Sequence, residues 1–125
     1  MPKPIFVVQK HYASHLHYDF RLSIKGVLKS WAIPKEPSKD PKIRRLAIQA
    51  GDHPLGYAKF HGVIKEGYGK GRVHIWDSGN YDLISRKADK IVVDIHGRKL
   101  KGKYVLIRFR PGRSWLFFRM KKGGR

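Results

Sequence analysis

The sequence predicts an all-β fold, either a barrel or a sandwich, from three observations. Nine short runs are rich in β-branched and aromatic residues, which pack well on the pleated surface of a sheet. Glycine and proline residues between these runs predict turns. No stretch has the 3.6-residue periodicity of an amphipathic helix, apart from one helical turn expected near residues 40–44. The length of 125 residues predicts a single domain, residues 1–125, with a small core.

Turn-forming residues mark the predicted ends of the strands along the chain. Lys25 and Gly26 predict a hairpin between the second and third strands, and Pro34 ends the third. Residues 34–41 form a loop, and residues 51–71 are rich in loop-forming residues, with several glycines at their end. The predicted strands are residues 5–9, 17–24, 27–33, 44–50, 72–77, 81–85, 91–96, 104–110 and 115–120.

The composition indicates a polyanionic partner. Lysine and arginine number 28 against 9 aspartate and glutamate residues, which gives a net charge of +19. Nucleic acid is the leading candidate, because no basic amphipathic helix or lipidation motif favours an anionic membrane and no segment is apolar enough to span one. The chain has no cysteine, which excludes disulfides and thiolate zinc sites. The absence of cysteine leaves the redox compartment open. Residues 1–10 lack the apolar run of a signal peptide, so we expect an intracellular, cytoplasmic protein.

One stretch, residues 11–22 with the sequence H-Y-A-S-H-L-H-Y-D-F-R-L, carries the strongest signal for chemistry. His17, Asp19 and Arg21 alternate along a strand, so their side chains share one face, while the apolar residues between them share the other. His17 and Asp19 can converge on one ion, and His11 can add a third ligand if the chain bends after it. Arg21 would lie beside that ion, where an anionic oxygen binds. The alternative is an ordinary solvated strand face with an Asp–Arg pair.

A longer pattern around this stretch resembles a known family. The run F-V-V-Q-K-H-x-A-S-x-L-H-Y-D-F-R-L, residues 6–22, is similar to the signature of the phosphoesterase domain of bacterial DNA ligase D, which also occurs as a stand-alone protein. Four further pieces follow in the order of that family and extend the resemblance to about residue 83. They are G-V-L-K-S-W-A-I-P-K-x-P-S (26–38), R-R-L-A-I (44–48), D-H-P-L-x-Y (52–57) and G-x-V-x-I-W-D-x-G (71–79).

The resemblance implies a fold, a cofactor and an activity. The fold would be a compact closed β-barrel of about eight or nine short strands with a polar interior site. The cofactor would be a divalent metal, Mn²⁺ in the first place, with Zn²⁺ or Co²⁺ as alternatives. The activity would be that of a 3′-phosphoesterase, which removes a terminal ribonucleoside to leave a 3′-phosphate and then removes the phosphate to leave a 3′-hydroxyl. The substrate would be a DNA or RNA–DNA primer-template.

The resemblance also implies roles for individual residues. The metal ligands would be His11, His17 and Asp19. Arg21 and His53 would contact the scissile phosphate, with His53 also serving as a proton donor, and Tyr57 would stand beside them. Polar positions that line or support the pocket would be Gln9, Lys35 and Arg45, with Ser30 as a further candidate. The expected partners, besides nucleic acid, are a separate DNA ligase, a polymerase and Ku, for a monomeric, nucleoid-associated protein.

The sequence departs from the family in ways that bear on activity. His15 stands where members usually carry arginine, and Ser23, Gly51 and His61 stand where they carry acidic residues. Ligase-linked members have a further segment ahead of the first strand that bears on removal of the ribonucleoside. This sequence begins almost at that strand, so we expect the phosphomonoesterase step more firmly than the diesterase step.

Two other classes of protein share parts of the pattern. Two histidines and one carboxylate also form the facial triad of non-haem iron oxygenases. A basic β-barrel that binds nucleic acid without catalysis would explain the charge, with Trp31, Trp76, Trp115 and Tyr68 stacking on bases. That alternative leaves the alternating polar row of residues 17–21 without a role. Metal that co-purifies with the protein and depends on His17 would favour the enzyme.

Overall fold

The computed structural model describes residues 3–67 and 69–121, which form nine strands and one 3-10 helix. No helix among these residues is long and apolar enough to cross a bilayer. The helical turn expected near residues 40–44 is instead a hydrogen-bonded turn, in which Ile43 N donates to Asp40 O at 3.0 Å. The elements are β1 (Ile5–Tyr12), β2 (Leu16–Ile24), β3 (Val27–Ile33), β4 (Arg45–Pro54), the 3-10 helix (Leu55–Lys59), β5 (Gly62–Ile64), β6 (Gly71–Lys87), β7 (Lys90–His96), β8 (Lys101–Arg108) and β9 (Ser114–Arg119).

The strands form a closed antiparallel barrel, which confirms the expected fold. They neighbour one another in the order β1-β2-β3-β4-β9-β8-β7-β6, and pairing of β6 with β1 closes the circle. The short β5, which was not predicted, pairs with the start of β6. Closure leaves the eight barrel strands without free edges.

The longest strand, β6, joins two runs that the sequence predicts as separate strands. Gly79 lies between these runs, at a point where the backbone passes very close to its neighbour. A Cβ on Gly79 would lie only 2.3 Å from the carbonyl oxygen of His96. The glycine therefore marks a close backbone contact inside one strand, and a turn is not needed to explain it.

The barrel interior is apolar. Phe20 lies at its centre, with its ring centroid 4.7 Å from that of Phe117 and 6.4 Å from that of Trp31. Residues from all eight barrel strands contribute to this buried cluster. The polar residues of β2 alternate with Phe20, so they lie on the outer face of the barrel wall. The polar site was expected in the barrel interior, but it lies on the outer face of the barrel wall. The inward face of β2 is filled by the apolar core, so the alternating polar side chains must point outward.

A second, smaller apolar cluster holds a covering segment, residues 51–64, against this outer face. Val7 of β1 and Leu28 of β3 are both fully buried and pack with Ala58 of the 3-10 helix. Tyr57 packs against the same cluster. The covering segment therefore lies over the polar face of β2 and buries residues that would otherwise be exposed to water.

A buried carboxylate fixes the connection between β7 and β8. Asp77 is 4% exposed and accepts backbone N–H groups through both oxygens. Oδ1 accepts from Ser78 and Arg98 at 2.9 and 2.8 Å, and Oδ2 accepts from Lys99 and Leu100 at 3.1 and 2.8 Å. Hydrogen bonds to the carboxylate satisfy a turn backbone that has no strand partner.

We expect Asp77→Ala to lower the free energy of unfolding by on the order of 3 kcal/mol, because it leaves buried N–H groups without acceptors. Urea titration followed by circular dichroism measures this change. The exposed ion-pair residue Asp82 provides the control, and Asp82→Ala should cost at most about 1 kcal/mol. Equal losses in the two variants would contradict the structural role of Asp77.

Candidate metal centre

The β1–β2 hairpin brings the predicted ligands together. Antiparallel pairing places His11 directly opposite His17, and Gln9 opposite Asp19. The chain bends at residues 13–15, as the sequence requires for His11 to return beside His17. Side chains directly opposite in such a pair share one face of the sheet. The six-residue separation of His11 and His17 therefore spans the hairpin turn that brings the two histidines opposite each other.

The three side chains converge on one point. Asp19 Oδ2 lies 3.4 Å from His11 Nδ1 and 3.3 Å from His17 Nε2. One ligand atom from each residue lies within 4.8 Å of the other two. His11 and Asp19 are each 7% exposed, and His17 is half-buried, so the cluster is enclosed on most sides.

The hydrogen bonds of the two imidazoles show that the donor set fits a divalent metal. His11 Nε2 lies 2.6 Å from Gly69 O, and His17 Nδ1 lies 3.0 Å from His15 O. A carbonyl oxygen only accepts, so these ring nitrogens carry the N–H groups. When both rings are neutral, His11 Nδ1 and His17 Nε2 direct lone pairs toward Asp19. A divalent ion, or in its absence a proton on His17 Nε2, relieves this repulsion, and hydrogen bonding of the outer nitrogens is typical of metal-bound histidines.

The contact between His17 and Asp19 shifts the pKa values of both groups. The hydrogen bond to Asp19 raises the pKa of His17 above 6.5, against the opposing effect of burial. Burial by itself would raise the pKa of Asp19, but the hydrogen bond with His17 and the charge of Arg21 outweigh it and lower that pKa. Asp19 is therefore ionised at neutral pH and available to hold a cation.

Arg21 is buried beside the cluster and is held by four partners. Its Nε donates to Gln9 Oε1 at 2.6 Å. Its Nη1 donates to Ser30 Oγ at 2.8 Å and to His53 Nδ1 at 3.1 Å. Its Nη2 lies 3.5 Å from Asp19 Oδ2. Nε and Nη1 thus have all their N–H groups engaged, and only Nη2 retains donor capacity for an added anion. A phosphate beside Asp19 would therefore contact Arg21 through Nη2 alone.

Gln9 links Arg21 to the covering segment. Its side chain is completely buried, and Nε2 donates to Tyr57 O at 2.8 Å and to Phe60 O at 3.1 Å. The amide oxygen is thereby turned toward Arg21 Nε. Gln9 and Ser30, which the resemblance assigns to the pocket, hold the guanidinium in place in this structure.

His53 and Tyr57 complete the surroundings of Arg21. The His53 ring lies 4.8 Å from the Tyr57 ring, and the Arg21 guanidinium carbon lies 5.0 Å from the centre of that same ring. Burial, with the charge of Arg21, lowers the pKa of His53 below 6.5. His53 Nδ1 lies 3.1 Å from Arg21 Nη1 and 3.2 Å from Gly51 O. A guanidinium can only donate and its contact is the shorter one, so we assign Nδ1 as its acceptor and the N–H group of the neutral ring to Nε2.

Two predicted site residues lie apart from this cluster. Lys35 is exposed, and among the described contacts it has no hydrogen bond or ion pair with the cluster. Arg45 Nε donates to Glu36 O at 2.8 Å instead. The backbone carbonyls of His15, Phe60 and Gly69 also hold site residues. They could not be predicted, since a backbone oxygen has no signature in the side-chain pattern of the sequence.

The tryptophans proposed for base stacking divide into two groups. Trp31 and Trp115 are 1% and 3% exposed and belong to the barrel core, so they cannot stack on a nucleic-acid base. Trp76 is partly buried at the edge of that core. Tyr68 lies outside the described residues.

Comparison with known proteins gives the family. A family model described as the DNA ligase D 3′-phosphoesterase domain matches residues 9–108. The chain belongs to this family. It is 47% identical over 121 residues to the multifunctional non-homologous end joining DNA repair protein LigD of Mycobacterium tuberculosis, and 45% identical over 127 residues to that of Pseudomonas aeruginosa. These alignments cover 93% and 94% of this chain but only 16% and 15% of the relatives.

We expect Asp19→Asn to weaken binding of Mn²⁺ more than about 100-fold, because even outer partners of metal ligands change affinity 10- to 100-fold in other proteins. Titration calorimetry measures the dissociation constant, and circular dichroism verifies the fold. Asp82→Asn serves as the matched control, since Asp82 belongs to an exposed His–Asp cluster elsewhere. Unchanged affinity in Asp19→Asn, or loss only in Asp82→Asn, would refute this metal centre.

Metal affinity should also depend on pH through His17. A metal binds the neutral ring, so affinity should fall about tenfold per pH unit below the raised pKa of His17. In the metal-free protein, attraction to Asp19 stabilises the fold fully below pH 6.5, and this contribution is lost as pH rises through that pKa. Mn²⁺ titrations on both sides of pH 6.5 measure the first effect. A constant affinity across this range would contradict the assignment of His17.

Proposed function

We propose that this domain is a metal-dependent 3′-phosphoesterase that removes a 3′-phosphate from a DNA strand and leaves a 3′-hydroxyl. One observation carries the proposal. Asp19 Oδ2 lies 3.3 Å from His17 Nε2 and 3.5 Å from Arg21 Nη2, so the candidate metal ligands and a buried cation meet at one carboxylate. A phosphate group that approaches this point finds two positive groups side by side. Membership of the 3′-phosphoesterase domain family supports the same assignment.

The chemistry of phosphate esters explains why such a pair is useful. A phosphate monoester is a dianion, and its hydrolysis depends mainly on charge neutralisation and positioning. A divalent ion held by His11, His17 and Asp19 would supply a Lewis acid for a phosphoryl oxygen. Two imidazole nitrogens and one carboxylate oxygen suit Mn²⁺, with Zn²⁺ or Co²⁺ as alternatives.

Arg21 contributes a fixed positive charge. Gln9, Ser30 and His53 hold its Nε and Nη1, so the free donor capacity of Nη2 remains at the edge beside Asp19. A donor that is already oriented does not need to reorganise when charge develops on the phosphate. We therefore assign Arg21 to stabilisation of the transition state through Nη2.

His53 serves best as a neutral hydrogen-bond donor. Its lowered pKa keeps the ring neutral at working pH, and its N–H is on Nε2 because Arg21 donates to Nδ1. This supports a contact with phosphate more strongly than the proton transfer expected from the sequence. Tyr57 packs against the His53 ring and the Arg21 guanidinium and holds both groups in place.

The biological setting that we propose is repair of DNA ends by non-homologous end joining. The relatives are named for that process, and the net charge of +19 suits a DNA or RNA–DNA primer-template. A separate ligase, a polymerase and Ku are proposed partners of a monomeric, nucleoid-associated domain. The alternative of a binding barrel without catalysis is weakened, because two of its supposed stacking residues, Trp31 and Trp115, are buried.

A primer assay tests the proposal directly. Primers that end in a 3′-phosphate or a 3′-ribonucleotide are incubated with purified protein and Mn²⁺, Zn²⁺, Co²⁺ or a chelator. We expect release of phosphate from the first primer with Mn²⁺ and none with the chelator. Absence of release with every metal, or equal release by Asp19→Asn, would overturn the proposed function. Conversion of the second primer would add the ribonucleoside-removing step.

We expect Arg21→Lys to reduce phosphate release about 100- to 1,000-fold, the usual effect of losing one donor to a developing oxyanion. One ammonium group cannot reproduce the contacts of three guanidinium nitrogens. Initial rates on the 3′-phosphate primer measure the loss, and Mn²⁺ affinity should change little. Arg86→Lys on the exposed part of β6 is the matched control. Equal rates in Arg21→Lys and Arg86→Lys would rule out the role of Arg21.

A further inference from the structure

Aromatic and cationic side chains line one end of the barrel, on the face of β1 opposite the metal centre. They continue the inward-facing row of Phe6 and Val8 beyond the end of the apolar core. We call them the rim cluster, which consists of Lys10, Tyr12, Arg72, His74, Trp76 and Lys99. Neither the metal centre nor the contacts of Arg21 use any of these residues.

The β1–β6 pairing assembles the first part of the rim cluster. Tyr12 is paired with Arg72, and Lys10 is paired with His74. The ring centre of Tyr12 lies 4.8 Å from the guanidinium carbon of Arg72 and 5.2 Å from Lys10 Nζ. The His74 ring packs edge-on against Tyr12 at 5.8 Å. Cations and a ring thus surround Tyr12 at a place where Arg72 and His74 are exposed.

Trp76 extends the rim cluster into a cavity. Its ring packs edge-on against the buried ring of Tyr18 at 5.7 Å, and Lys99 Nζ lies 4.4 Å from its centre. Trp76, Lys99 and Arg45 help to line a cavity of about 520 Å³. The acidic residues at this cavity are Glu36 and Asp40. Cations still dominate the rim as a whole, because Lys10 and Arg72 adjoin it.

Rings interleaved with cations are the usual surface for unpaired nucleic acid. Bases stack on aromatic rings and guanidinium planes, and phosphates attract the cations. A duplex hides its base faces, so rings recessed at a barrel mouth are accessible only to unpaired bases. The surface also adjoins the metal centre, since Tyr12 follows the ligand His11 directly and Gly69, which accepts from His11, precedes Arg72 by three residues.

We propose that the rim cluster binds the unpaired template nucleotides that extend past the paired 3′ end at the metal centre. The proposal rests on the proposed function, because it assigns the path of the template strand of the substrate. The 3′-terminal phosphate lies at Arg21 and the metal ligands, and the unpaired template nucleotides cross the end of β1. Their phosphates contact Arg72 and Lys10, and one base stacks on Trp76.

Binding of short oligothymidylates with a 3′-hydroxyl tests the proposal without turnover. Anisotropy of a 5′ dye measures the dissociation constant, and tryptophan emission reports stacking. We expect oligothymidylate to quench emission in the wild type, with no quenching in Trp76→Phe, because Trp31 and Trp115 are buried. An abasic strand of equal length should bind about 5- to 100-fold more weakly, the usual range for loss of base stacking.

Two arginines on β6 give a matched pair of variants. Arg72→Gln should weaken binding several-fold and reduce the salt slope by about 0.7, the value for one phosphate contact on a single strand. Arg86→Gln, at the far end of β6, should leave both values unchanged. Both arginines are exposed, so neither change should unfold the protein.

The outcomes separate this inference from the proposed function. Stronger binding of base-bearing single strands, quenching that depends on Trp76 and selective loss in Arg72→Gln would support the rim cluster. Equal binding of abasic strands, quenching by a blunt duplex, or equal effects of Arg72→Gln and Arg86→Gln would overturn it. None of these results depends on phosphate release, whose absence from the wild type would refute only the catalytic proposal.

Discussion

A buried guanidinium is the constraint on which the candidate site depends. Arg21 is 4% exposed, and a charge removed from water destabilises the fold unless it is paired and hydrogen-bonded. Four residues meet this requirement. Gln9, Ser30 and His53 come from β1, β3 and β4, and Asp19 comes from β2, the strand of Arg21 itself. The same contacts orient Asp19 and His53 and draw the covering segment onto the barrel through Gln9. Stability and site geometry therefore follow from one set of hydrogen bonds.

One face of β2 forms part of the barrel core, and the other face forms the candidate site. Phe20 and its apolar neighbours fill the barrel and supply most of the buried apolar surface. His17, Asp19 and Arg21, which alternate with them, form the metal centre on the outer face. Because the core does not depend on these polar residues, their chemistry can be altered without removing the packing that holds the barrel together.

The end of β1 relates the site to its surroundings. His11 belongs to the metal centre, whereas the next residue, Tyr12, belongs to the rim cluster on the other face. Gly71, which begins β6, can have no side chain there, because a Cβ would lie 2.0 Å from Tyr12 O. This close contact holds the ends of β1 and β6 together. The ligand His11 and the rim cluster are consequently parts of the same corner of the barrel.

The sequence by itself determined the local parts of this protein. Alternation fixed which side chains of β2 share a face, and the hairpin spacing brought His11 to His17, because both depend only on strand geometry. The ordered motifs also identified the family. Tertiary structure decided what lies far apart in sequence: that the polar face is outside the barrel, that Gln9 and Ser30 hold Arg21, and that Lys35 and Arg45 stand apart. Those outcomes depend on packing between distant segments and on backbone carbonyls, which leave no pattern along the chain.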